Sequence, residues 1–274
     1  MREKILKVGQ ITPLHGIITC PERSRSEVCV LILNSGLMHH VGTSRVSVML
    51  ARKLAENGVL SVRFDFSGIG DSLPRRTKTS SAMNTQLETI EVMDEIQSSY
   101  GVKSFVLYGL CSGADVSFAV AQKDDRVTGI AQIDPYLYRN HGWFLRHYGP
   151  RLLDLKSWLG GFRRFIGKRQ DGKSIPDHLV ETLDGNGREI PPQQDVERGY
   201  QIITSKNCKV LVIVTGGQAY TFNHKKQFRD IFSNVPWQEN LECHYLPEAE
   251  HVIPEPEYQK EVVTIIDKWV TKIG

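Results

Sequence analysis

The chain has 274 residues, 40% of them hydrophobic and 24% charged, which suits a globular protein with one large core. A net charge of +3 without a basic tail argues against nucleic-acid binding. No apolar run approaches a membrane span, the start lacks a signal-peptide pattern, and five scattered cysteines follow neither a disulfide nor a metal-ligand spacing. A cytoplasmic protein with reduced thiols is expected.

In chain order, residues 5–19 suggest two short strands around a turn. Residues 28–33 form a continuous apolar run, as in a strand covered on both faces. Val46, Leu50 and Leu54 recur at helical spacing, and Gly58 supplies a stop. Residues 59–66 read as the next strand, closed by Ser67-Gly68-Ile69-Gly70-Asp71-Ser72. An amphipathic helix is predicted over 84–99, a strand over 104–108, a helix to about Gln122, and a strand over 127–133 ending at Asp134. Aromatics, arginines and prolines then interrupt the rhythm. It resumes with a strand at 210–215, a helix near 225–232, a strand near 241–246 and a closing helix from about 257. This alternation predicts a parallel, doubly wound α/β sheet. The interruption predicts an inserted lid over its carboxyl edge. The expected organisation is a first core part at 1–134, a lid at 135–207 and a second core part at 208–274.

The most informative segment is Gly109-Leu110-Cys111-Ser112-Gly113, between a predicted strand and a predicted helix. A G-x-nucleophile-x-G sequence there describes a tight elbow that exposes one side chain in a strained conformation. Cysteine stands where serine is more usual. A thiol needs help to ionise near neutral pH, and the start of a helix favours the thiolate. The same amides favour a negative oxygen, so the expected oxyanion donors are the backbone N–H groups of Ser112 and Leu37. A packed, inert cysteine in a turn is the bland alternative.

The general base is expected late in the chain. His251 follows the last predicted strand and can reach the elbow from that edge. The acid that would orient it is less determined. Many such folds place it after the strand ending at Thr215, but Gly216-Gly217-Gln218-Ala219 holds no carboxylate. Asp134, at the end of the preceding strand, is preferred; Glu250 is the runner-up, and a dyad without an acid stays open. Asp65 and Asp71 read as turn residues. His39 and His40, behind the oxyanion loop, are candidates either for substrate contact or for loop surface, and Tyr136 is a further candidate for substrate contact.

Taken together, Asn34 to Gly42, Arg63 to Ser72, Gly109 to Gly113 and His251 resemble the α/β-hydrolase superfamily, over most of the chain except the lid. Within it, the likeness is to the serine-aminopeptidase-like and exosortase-associated branches. The resemblance implies an eight-stranded, mostly parallel sheet and a nucleophile–acid–histidine triad in that chain order. It carries the nucleophile to Cys111 and the base to His251.

Tyr136, Tyr138, Trp143, Phe144, Tyr148, Trp158, Phe162 and Phe165 in the lid are interleaved with arginines and lysines. They would close over an acyl chain on an anionic carrier such as coenzyme A or a carrier-protein phosphopantetheine, or else simply pack on the core. The expected activity is hydrolysis of an acyl ester, thioester or amide through an acyl-Cys111 intermediate, with no cofactor and no metal. The alternatives are acyl transfer to an amine or hydroxyl, and a non-catalytic binding protein with a degenerate triad.

Overall fold

Runs of β-branched and aliphatic residues form eight strands: β1 (Arg2–Val8), β2 (Leu14–Cys20), β3 (Val28–Ile32), β4 (Leu60–Phe64), β5 (Ser104–Leu110), β6 (Val127–Ile133), β7 (Lys209–Thr215) and β8 (Leu241–Leu246). The structure is a computed structural model and describes residues 1–23, 26–76, 78–153 and 188–273. The strands make one sheet in the order β1-β2-β4-β3-β5-β6-β7-β8. β2 pairs antiparallel with β1 and with β4; every other pairing is parallel. β3 and β4 are buried along their whole length, as strands covered on both faces must be.

The described helices are α1 (Val46–Glu56), α2 (Ser81–Tyr100), α3 (Ser112–Ala121), α4 (His141–Leu153), α5 (Gln193–Ser205), α6 (Gln227–Ile231) and α7 (Pro256–Ile273). On one face of the sheet, Val46, Leu50 and Leu54 of α1 meet Val262, Ile266 and Trp269 of α7. On the other, Val92, Met93 and Ile96 of α2 join Phe118, Tyr200, Phe228 and Phe232. Local sequence sets where α2 begins and ends: the Ser80 side chain accepts from the Met83 N–H, and Gly101 closes the helix at φ 68°.

The predicted lid is divided. Residues 154–187, with Trp158, Phe162, Phe165 and the basic residues from Lys156 to Arg169, lie outside the described residues. At its start, Trp143 of α4 is buried against the loop after β7, and its indole N–H donates to Ala219 O at 3.3 Å. At its end, α5 belongs to the core: Val196, Tyr200 and Ile203 are buried, and the Tyr200 hydroxyl donates to Gln132 of β6 at 2.8 Å. Its polar composition hid this, because only one narrow stripe of the helix is apolar.

Candidate active site

The parallel strands bring the carboxyl ends of β3, β5, β6, β7 and β8 to a single edge of the sheet. The chain leaves β5 at Leu110 and enters α3 at Ser112, so Cys111 alone makes the turn, at φ 54° and ψ −117°. That conformation is costly for a residue with a Cβ and persists only where its surroundings enforce it. Here the flanking glycines permit the close packing that holds it. A Cβ on Gly109 would lie against the Gly113 carbonyl, and one on Gly113 would come within 2.6 Å of Asn34 O. Cys111 is partly exposed, and its N–H donates to Ile133 O at 2.9 Å.

The next strand ends in a second strained residue. Asp134 is fully buried at φ 49°. Its Oδ1 accepts from the Thr215 N–H at 2.8 Å, and its Oδ2 accepts from the Thr215 hydroxyl at 2.7 Å. Its Oδ2 also lies 2.6 Å from His251 Nδ1. His251 thus rests on a carboxylate that is itself held in place. The hydrogen bonds to Asp134 and then to Cys111 push the His251 pKa up to about 10, against the opposing effect of burial. Below that value the ring carries both protons, between a carboxylate and a sulfur.

Gln218, near the position such folds most often give to the acid, is buried with its amide 3.5 Å from His251 Nδ1. Glu250 is exposed, and among the described residues its side chain has no bond to His251. The carboxylate that meets the ring is Asp134.

The oxyanion candidates flank the elbow. Ser112 opens α3, so its N–H has no carbonyl one turn earlier in the helix to bond. Leu37 sits on a turn closed by Met38 N–H to Ser35 O at 2.9 Å, with its side chain 89% exposed. The Ser112 hydroxyl accepts from the Gly36 N–H at 2.7 Å and pins this loop to the elbow.

The two histidines behind the loop differ. His40 is buried, with its Nδ1 2.7 Å from Asp65 Oδ2 and its N–H donating to Asp65 Oδ1 at 2.6 Å. It is engaged in holding the loop, not in offering a surface to substrate. His39 stays partly exposed, with Nε2 3.4 Å from Asp71 Oδ2. Asp65 is fully buried. Burial opposes its charge, but bonds from His40, the Asp71 N–H and Asn34 hold its carboxyl below the usual carboxylate range. The ligand atoms of His39, His40, Asp65 and Asp71 lie within 4.8 Å of one another, the one such grouping among the described residues. These side chains would hold a divalent cation if the chain bound one, but each is already bonded to another member of the group.

Two residues near the nucleophile escape sequence reasoning. Asp115, in the first turn of α3, forms an ion pair with Arg188, whose guanidinium lies over the Tyr136 ring at 4.4 Å. Asp115 was legible only as an acid four residues after Cys111. Arg188 carried no signal, being one arginine among many in the interrupted stretch.

A strained elbow after β5, an imidazole after β8 and a backbone loop after β3 define an α/β-hydrolase. Residues 26–175 match the model of the family described as "Serine aminopeptidase, S33". The chain belongs to this family and is a hydrolase of the α/β-hydrolase type. No protein of curated function matches it in sequence. Solved structures resemble it in fold at low identity. The Pyrococcus furiosus esterase Pf2001 is 15% identical with a TM-score of 0.64, over 100% of this chain and 92% of that one. XC6422 from Xanthomonas campestris, an α/β serine hydrolase without a lid, is 16% identical with a TM-score of 0.57, over 98% and 95%. Mouse alpha/beta hydrolase domain-containing protein 10 is 12% identical with a TM-score of 0.57, over 100% of both chains. Among the described residues, no helix is long and apolar enough to cross a membrane.

Proposed function

We propose that the chain hydrolyses an acyl ester or thioester through a covalent acyl-Cys111 intermediate, with His251 as proton carrier and Asp134 as its orienting acid. The observation that carries this reading is the 2.6 Å bond from His251 to a buried carboxylate, with the Cys111 side chain a second cause of the ring's raised pKa. The ring already holds the proton that Cys111 gives up, so the attacking state is a thiolate beside an imidazolium. Sulfur attacks the acyl carbon, a C–S bond forms, and the carbonyl π pair moves onto oxygen, where the Leu37 and Ser112 N–H groups receive it. Collapse breaks the bond to the leaving group, which takes the proton from His251. Water then gives a proton to the ring and adds to the thioester. Breaking of the C–S bond releases the acid and restores the thiolate.

The other thiols make poor competitors. Burial pushes Cys29 well up, and Cys208 and Cys243 each to about 12. Thioesters are favoured as substrates because thiolate attack on them exchanges one sulfur leaving group for another. The coenzyme A or carrier-protein form and the contacts of His39 and Tyr136 with substrate belong to the same reading. Acyl transfer differs only in the second acceptor. Intact mass after brief exposure to a panel of acyl esters and thioesters tests the nucleophile. An adduct located on Cys111 is expected. Turnover without one, or an adduct that survives Cys111→Ala, would refute it. Product analysis with competing amines then separates free acid from transfer.

A further inference from the structure

One side chain outside the proposed triad touches both of the segments between which His251 must fit. Arg188 lies within the predicted lid stretch, just after the residues outside the described ones, and its side chain is only 11% exposed. Its Nε donates to Asp115 Oδ2 at 2.6 Å, and a terminal nitrogen bonds Asp115 Oδ1. Its Nη1 donates to the Asp134 backbone carbonyl at 3.1 Å. Asp115 is one turn along from the nucleophile, and its N–H donates to Cys111 O at 3.2 Å. The guanidinium therefore spans from the nucleophile's helix to the acid's main chain.

Asp134 needs such support, because its φ of 49° is sustained only by its surroundings. Its carboxylate is held from β7 by Thr215. The nucleophile side supplies two further ties on adjacent carbonyls. The Cys111 N–H bonds Ile133 O at 2.9 Å, and Arg188 bonds Asp134 O. Fixing both carbonyls that flank the Asp134 Cα fixes the direction in which its side chain leaves the backbone. A planar guanidinium supplies this fork, whereas an ammonium of the same charge cannot.

We propose that Arg188 is a positioning residue, bridging the nucleophile helix through Asp115 to the acid loop through Asp134, and so setting the carboxylate against His251. This rests on the reading of the site given above. Asp115 pairs with its charge, which also acts through space on Cys111, and the positioning effect is the geometric part. Burial works against the guanidinium charge, and Asp115 more than restores it.

Titration of the His251 ring by nuclear magnetic resonance tests the bridge without relying on turnover. In the unaltered chain the midpoint is expected at about 10. Arg188→Ala is expected to lower it by about one unit, a tenfold loss of proton affinity. Arg188→Lys, which keeps the charge without the fork, falls with it, and millimolar guanidinium returns Arg188→Ala towards the original value. An unchanged midpoint in Arg188→Ala, or full restoration by lysine, overturns the proposal. Arg188→Gln, which keeps much of the buried volume without the fork, serves if Arg188→Ala does not fold. Alkylation of Cys111 in the same samples keeps the two readings apart. If the midpoint follows Arg188 while Cys111 reacts no faster than Cys20, the bridge stands and the proposed nucleophile falls.

Discussion

At the residue scale, the site depends on two strained positions, Cys111 at φ 54° and Asp134 at φ 49°, each enforced by its neighbours. For Cys111 the enforcement is steric. Gly113→Ala puts a Cβ 2.6 Å from Asn34 O, so the oxyanion loop or the elbow must shift. We expect a stability loss of about 1–3 kcal/mol by chemical denaturation, together with slower Cys111 alkylation. For Asp134 the enforcement is electrostatic. Asp134→Asn removes the largest cause of the raised His251 pKa, so the ring titrates closer to its ordinary 6.5. A fall in kcat of about 10²–10⁴-fold with little change in KM is expected. Glu250→Gln, at an exposed position, is expected to leave kcat unchanged. Equal activity in the two variants would remove Asp134 from the proposed mechanism.

At the scale of elements, local chemistry bounds α2, and buried stripes hold the helices to the sheet. α2 tests the first: its Ser80 cap is exposed and touches nothing catalytic. Ser80→Ala is expected to cost about 1 kcal/mol in denaturant midpoint measurements, with unchanged activity. α1 tests the second. Leu50 is fully buried between the sheet and α7, so Leu50→Ala is expected to cost about 2–5 kcal/mol. The larger effect belongs to packing across elements, the smaller to a single terminus. Most strands and helices were legible because their apolar spacing is a local property: 104–108 and 127–133 fall on observed strands, and 28–33 overruns one by a single residue. α5 was not, because its apolar stripe is diluted by polar residues and shows itself only against Phe118 and Gln132.

At the scale of the whole molecule, the raised His251 pKa couples the site to folding. An unfolded histidine titrates near 6.5 and the folded one at about 10. The native state binds the proton more tightly, so its contribution to stability is complete below 6.5 and is lost as pH rises through about 10. Thermal unfolding is expected to drop across this window more steeply in the unaltered chain than in His251→Gln. Equal slopes would mean that the Asp134–His251 pair contributes no such linkage.

The sequence by itself determined the sheet-forming runs, the elbow around Cys111 and the late histidine, since each is written in residues a few positions apart. It also preferred Asp134 as the acid, with Glu250 as runner-up. Only the tertiary structure set Asp134 against a ring 117 residues later and turned Glu250 to solvent. The bridging Arg188 and the inward turn of His40 were decided there too. Such contacts depend on strand order and on the backbone angle at one residue. No local pattern encodes either, because each arises from elements distant in sequence packing against one another.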